Sequence, residues 1–211
     1  ERGREQPARD ALSRIAGLTE RMSELSRTLL GFARKPGTAI SDVRLSAVVD
    51  EALLLAGPRA KKAGIMIRRT DVDGDLVVRG GRVRLTQVVV NLVNNAIDAL
   101  SGIGTDRATA DPEIRISAHA HDGDVALVIA DNGPGLAPGD QEAVFEPFYS
   151  TKGVGEGIGI GLSIVYTIVK DLGGRIEAGE SDMGGARFSV ILQAGDRVRE
   201  TGDSALAQAG T

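Results

Sequence analysis

Three short polar segments, in a fixed order, hold residue types that can do chemistry: NLVNNAIDAL (91–100), DNGPGL (131–136) and GVGEGIGIGL (153–162). In the first, Asn91, Asn95 and Asp98 stand at i, i+4 and i+7. At the α-helical turn angle they fall within about 60° of one another. Amide and carboxylate oxygens so placed can hold a hard cation such as Mg²⁺ that also binds phosphates. The same stripe would equally serve as a solvated helix face. The second segment is by composition a turn. At the end of an apolar strand, however, Asp131 could accept a hydrogen bond from the amino group of a base, with the glycines letting a ligand approach the backbone. The third has five glycines at alternating positions and runs into an apolar helix starting near Ile160. Freely turning N–H groups and a helix N-terminus suit phosphate. It is neither a Walker A loop nor a Rossmann fingerprint, since no Gly-Lys-Ser/Thr follows and position 160 is isoleucine. A flexible linker has similar composition but would not lie between a strand-turn unit and an apolar helix.

These residues need elements to hold them. Residues 82–101 predict a long helix with Leu85, Val89, Leu92, Ala96 and Leu100 on the arc opposite the asparagines. RLSAVVDEALLLAGPRAKKAG (44–64) predicts an amphipathic helix with Ser46 as N-cap and Gly64 as its stop. IMIRRT (65–70) and DLVVR (75–79) read as short strands joined by a DVDGD turn, and EIRISAHAH (113–121) with DVALVIA (124–130) as a hairpin around Asp-Gly. IGLSIVYTIVKDLGG predicts a third helix ended by Gly173 and Gly174; RIEAGE and ARFSVIL complete the strands. Mixed elements without regular βαβ alternation imply an α+β fold, a two-layer sandwich with helices on one face of a sheet. Ahead of it, Ala8, Ile15, Met22 and Leu29 recur every seven residues, and Ala11, Leu18, Leu25 and Phe32 follow each by three. This a/d seam, flanked by Arg14 and Arg21, predicts a coiled-coil-like helix over 8–35, with KPG (35–37) as its end. With no matching seam in the chain, its stripe would pack on a second copy or another segment. From about Gly195 the chain is polar and Ala/Gly-rich, an expected frayed tail.

Composition narrows the classes. The chain has 211 residues, enough for one medium domain and an appendage, and a net charge of −4 with no basic stripe, which disfavours nucleic acid as a partner. No apolar run approaches a membrane span and no cysteine is present, so thiolate metal sites and disulfides are excluded. The 28 glycines, mostly beyond residue 100, point to loops that need backbone freedom.

The order Asn-rich helix, DNGPG, FEPFY, GEGIGIGL resembles the catalytic ATP-binding domain of sensor histidine kinases, in the gyrase/chaperone/kinase (GHKL) superfamily. The resemblance spans about 44–193, and VFEPFYSTKGVGEGIGIGLSIVYTIVKDLGG is most like the nitrogen-regulation and dicarboxylate-transport sensor kinases. It implies ATP and Mg²⁺ as ligands, with residues 1–37 as the second helix of a dimerisation hairpin, 38–194 as the catalytic domain and 195–211 as a disordered tail. By resemblance Asn95 holds the metal. Asn91 sits one turn earlier, where related ATPases carry a glutamate base, and Asp98 replaces a frequent Lys or Arg. Asp131 reads the adenine amine, with Gly133, Gly135 and Leu136 at the base pocket. Phe145 and Phe148 anchor the lid and Lys152 reaches the terminal phosphate. Gly157, Ile158, Gly159, Ile160, Gly161 and Leu162 line the phosphates. Two further departures are Ala186, where a Thr is usual, and Gly81, where an Asp is frequent.

That family transfers the ATP γ-phosphoryl to a histidine on the first hairpin helix, then to a response-regulator receiver domain. The only histidines, His119 and His121, lie in the alternating strand on the face away from Ile114, Ile116 and Ala118, and read as surface residues. The expectation is therefore an ATP-binding fragment whose phosphoacceptor lies elsewhere, which binds Mg-ATP without phosphorylating itself. The resemblance also implies a homodimer of the parent protein and a cytoplasmic location, with membrane anchoring of the parent left open. A GHKL-type ATPase, a serine-directed kinase and a nucleotide-binding dimerisation module without turnover are the alternatives. A glutamate expected at position 91 of an ATPase is absent, and the heptad helix disfavours the small serine kinases.

Overall fold

The computed structural model describes residues 40–70, 72, 76–102, 111–150 and 159–196. The heptad segment therefore lies outside the described residues, as do Lys152, Gly157, Ile158, the side chain of His121 and the tail beyond residue 196. Among the described residues, seven strands and three helices follow one another as β1 (Ser41–Arg44), α1 (Leu45–Lys62), β2 (Met66–Arg69), β3 (Val77–Gly80), α2 (Arg82–Leu100), β4 (Glu113–His121), β5 (Asp124–Asp131), α3 (Gly161–Asp171), β6 (Arg175–Glu180) and β7 (Ala186–Gln193). A 3₁₀ turn at Ala143–Phe145 lies between β5 and α3.

Side chains alternate across a strand, so a one-sided core shows as a period of two. Ile114, Ile116 and Ala118 of β4 are buried, as are Val125, Leu127 and Ile129 of β5 and Phe188, Val190 and Leu192 of β7. All belong to one core with the helices, which cover that face of the sheet. The sheet order is β2-β4-β5-β7-β6, with β2 parallel to β4 and every other pair antiparallel. The expected two-layer α+β sandwich is the fold observed. β4 and β5 form the expected hairpin, His121 pairing with Asp124 across Asp122-Gly123. Both turn residues have positive φ (48° and 83°), the geometry a two-residue hairpin prefers.

Three local features add to or depart from the expectations. First, the strands expected at 65–70 and 75–79 are both present but in different sheets: β2 joins the edge of the large sheet, while β3 forms a separate two-stranded sheet with β1. The reason is burial: Val77 and Val78 are both enclosed, which suits a strand covered on two sides rather than one turning back on an exposed β2. Strand β1 itself gave too short an apolar signal to be predicted. Second, α1 begins at Leu45 with Arg44 as N-cap and no side-chain cap, so Ser46 is already helical. Fully buried Leu45 fixes that start, and its N–H donates to Leu76 O at 2.9 Å. Third, Gly195 is not the start of a loose tail. Its N–H donates to Val77 O at 2.8 Å, and Ala194 bridges Val78, so the chain's last described turn fastens the small sheet to β7.

The helix ends are as the glycines suggest. After α1, Gly64 (φ +69°) donates to Lys61 O and Ile65 to Ala60 O; after α3, Gly173 (φ +74°) donates to Lys170 O and Gly174 to Val169 O. Both are Schellman endings, which satisfy carbonyls the helix leaves free. They direct each chain straight into the next strand, so the sheet and helix layers stay in contact.

Candidate nucleotide-binding site

Helix α2 meets both the start of α3 and the Asp131 turn. Its arc of Leu85, Val89, Leu92, Ala96 and Leu100 is buried as expected, joined by Val88, Val93 and Ile97. Asn91, Asn95 and Asp98 are half-buried on the other side. Near its middle, Asn91 Nδ2 donates to Gly161 O at 3.4 Å, joining the asparagine stripe to the first residue of α3. Near its end, a Cβ on Gly133 would lie 3.5 Å from Leu100 and 3.7 Å from Ala99, so the Asp131 turn sits against the last turn of α2.

Asp131 is the last residue of the middle strand of the large sheet, and its parity puts it on the helix-covered face with Ile129. It is 2% exposed. Its Oδ1 accepts two backbone hydrogen bonds, from Gly133 N at 2.9 Å and from Ala186 N at 3.1 Å. Burial pushes this carboxyl above its ordinary value of 3.8, while the two N–H donors pull it back down. Among the described residues none donates a hydrogen bond to Oδ2. Nor is it sealed in: among the described residues the one fully enclosed, unpaired side-chain polar atom is Thr86 Oγ1. A carboxyl that is scarcely exposed and half-satisfied is suited to one donor from a ligand.

The FEPFY segment and the glycine segment are buttoned together. Phe148 N donates to Gly159 O at 3.0 Å, and both residues have φ of +68°. A Cβ on Gly159 would collide with Tyr149 O and lie 2.8 Å from Phe148 C, so only glycine fits there. A bulky residue at positive φ is uncommon, and here the backbone junction imposes it. Phe145 anchors the junction from below: its ring lies 5.8 Å from that of Tyr166 and 6.3 Å, edge-on, from that of Phe188. Phe148 is 73% exposed, and its tie to the glycine segment is made by its main chain. Tyr149 is partly buried, and the hydrogen bond its hydroxyl makes to Asp140 raises the phenol pKa. Leu136 and Leu162 pack, half-buried, on the core, and Gly135 (φ +78°) lies beside the Gly184-Gly185 backbone. Ile160 caps α3 and Gly161 opens it.

Asp98 is placed differently from the other stripe residues. Arg59 of α1 engages its carboxylate and also donates to Asn94 Oδ1 at 3.1 Å. The pair ties α1 to α2 and neutralises the one charge on the stripe. No group of three or more His, Cys, Asp or Glu able to hold a metal exists among the described residues. Asn95 and Asn91 carry amide oxygens of the kind that could hold Mg²⁺ together with phosphate oxygens. Sequence reasoning missed Arg59, Asn94 and Gly185. The doublet Gly184-Gly185 was the available signal for the last; Arg59 gave none, because only the packing of α1 on α2 brings it to Asp98.

The geometry can be set beside known proteins. Residues 80–196 match the family model for histidine kinase-, DNA gyrase B- and HSP90-like ATPases. The chain is 38% identical over 194 residues to the C4-dicarboxylate transport sensor protein DctB of Rhizobium meliloti, covering 91% of this chain and 30% of that protein. It is 31% identical over 178 residues to the sensor histidine kinase ZraS of Escherichia coli O157:H7, covering 84% of this chain and 37% of ZraS. It thus spans well under half the length of these curated relatives. Among solved structures, the catalytic domain of histidine kinase ThkA superposes with a TM-score of 0.63 at 28% identity, over 74% of this chain and 95% of that one. Full-length ShkA in complex with AMPPNP gives 0.71 at 25% identity, over 88% and 38%. No helix among the described residues is long and apolar enough to cross a membrane. The chain belongs to the histidine kinase-, DNA gyrase B- and HSP90-like ATPase family, on the branch of the sensor histidine kinases.

Proposed function

We propose that the chain is the ATP-binding catalytic part of a sensor histidine kinase, which delivers the γ-phosphoryl of Mg-ATP to a histidine for relay to a response-regulator receiver domain. The observation that carries this reading is Asp131: a buried carboxylate with one oxygen fixed by two N–H groups and the other left for a donor. An adenine amine supplies that donor, whereas the carbonyl at the same position of guanine is repelled. Mg²⁺, when bound, neutralises phosphate charge and orients the terminal phosphoryl. Asn95 and Asn91 are the side chains that would hold it, and the start of α3 at Gly161 brings backbone N–H groups beside them. Lys152 is proposed to meet the terminal phosphate, and Gly157, Ile158 and Gly159 to follow the phosphates. Catalysis would rest on positioning and charge neutralisation.

His119 is a poor acceptor on geometric grounds. It is exposed on the sheet face away from the helices, five residues along β4 from Ile114, the residue opposite Asp131. That is about 16 Å from the base site at the strand rise, and on the wrong side of the sheet. We therefore assign the receiving histidine to another segment, carried on a hairpin helix of the parent protein, which would act as a homodimer.

The test is calorimetry of ATP binding with and without Mg²⁺, joined to labelling with γ-³²P ATP of the chain together with a histidine-bearing hairpin of a related kinase. Binding should depend on Mg²⁺ and be lost in Asn95→Ala, and the label should be acid-labile, base-stable and on the hairpin. Acid-stable label, or Mg-dependent affinity unchanged in Asn95→Ala, would defeat the proposal.

A further inference from the structure

The turn between β6 and β7 comes up directly against Asp131. A Cβ on Gly185 would run into Asp131 Oδ1 and the Asp131 carbonyl, and would come within 2.5 Å of Gly133 N. The residue after it, Ala186, supplies one of the two N–H groups on Oδ1. The turn that holds Gly185 there is held by its own hydrogen bonds. Buried Ser181 donates its N–H to Gly185 O at 2.8 Å and accepts from Gly184 N at 3.0 Å, and its hydroxyl accepts from Met183 N at 3.1 Å. Asp182 pairs with Arg115 of β4 at 2.8 Å, pinning the turn to the sheet.

We infer that Gly185 is a positioning residue for base selection: by lacking a side chain it lets the Ala186 N–H reach Asp131 Oδ1, which leaves Oδ2 as the oxygen offered to the base. The inference rests on the proposed role of Asp131 in reading adenine. The physical reason is geometric. A carboxylate free to rotate offers both oxygens over a range of directions and can be displaced from an oxo group. One clamped through Oδ1 by donors on two sides presents a single acceptor in a fixed place, which rewards an amine and rejects a carbonyl. Any side chain at position 185 must push either the carboxylate or the Ala186 N–H away, and either movement releases the clamp. The glycine is required by this contact and not by its own backbone angle, which is not in the left-handed region.

The experiment compares the wild-type chain with Gly185→Ala, Gly133→Ala and Gly184→Ala. Gly133→Ala crowds the same Oδ1 from the other side, its Cβ falling 2.9 Å from that oxygen, and serves if Gly185→Ala does not fold. Gly184→Ala introduces backbone strain in the same turn (φ +91°) where a Cβ meets nothing within 4 Å. Two readouts are taken: the ratio of ATP to GTP affinity by competition, and the amide-proton shift of Ala186 without nucleotide, referenced to Asp131→Ala. The expected result is a fall of about tenfold in the ATP/GTP ratio for Gly185→Ala and a smaller fall for Gly133→Ala. The Ala186 amide of Gly185→Ala should move to its Asp131→Ala position. Gly184→Ala should melt lower with its ratio intact. An unchanged ratio and an unmoved Ala186 amide in a folded Gly185→Ala would overturn the inference. A wild-type chain that fails to prefer ATP, while the Ala186 amide responds as expected, would instead overturn the adenine-reading role and leave the clamp standing.

Discussion

Asp131 shows how much one residue's surroundings decide. A carboxylate 2% exposed is costly to ionise, and two backbone N–H groups recover only part of that cost, so its pKa stays above 3.8. In the window between 3.8 and the raised value the folded chain holds a proton that the unfolded chain has lost. Stability therefore falls as pH rises through that window. Nucleotide affinity moves the other way, because only the ionised form is a pure acceptor; ATP binding should weaken as pH falls through the raised value. Calorimetric titrations from neutrality down toward pH 3.8 should show this, and Asp131→Asn should abolish the dependence. The same substitution should lose preference for ATP over GTP while melting at or above the wild-type temperature at neutral pH, since a buried charge is removed. A large drop in melting temperature would mean that the ionised form contributes to folding instead.

At the scale of elements, function depends on junctions more than on the helices and strands themselves. The glycine segment is joined to FEPFY where Gly159 lies under the Phe148–Tyr149 backbone, and to α2 where Asn91 meets Gly161. Gly159→Ala cannot keep the first junction, because its Cβ would overlap Tyr149 O. ATP affinity should fall by about tenfold or more while adenosine affinity changes by less than about twofold, since the base site at Asp131 is held by other elements. Equal losses for both ligands, measured by competition, would show that the junction supports the whole domain and not the phosphate end.

For the whole molecule, the sandwich is the platform. The strand β7 passes from the proposed base site at Ala186 to the small sheet at Ala194, and its Phe188 packs under the Phe145–Tyr166 cluster. Phe188→Ala opens a cavity in the centre of that platform and should cost about 3–5 kcal/mol in urea unfolding, with nucleotide affinity falling together with stability. A loss below about 1 kcal/mol would mean the core collapses around the gap.

What could be read in the sequence was what local periodicity controls. The stripe of Asn91 and Asn95 opposite Leu85, Val89 and Leu92, the Asp-Gly hairpin, and the glycine stops of α1 and α3 all follow from the helical and strand repeats. The order of three motifs was enough to indicate a nucleotide site and, by resemblance, a family. Tertiary structure decided the rest, because those facts depend on which surfaces meet. Arg59 takes Asp98 out of the open stripe, Phe148 serves by its backbone with its ring in solvent, β2 and β3 part into two sheets, and Gly185 fixes the carboxylate of a residue 54 positions earlier in the chain. A period tells which way a side chain points from its own element; it says nothing about what stands opposite.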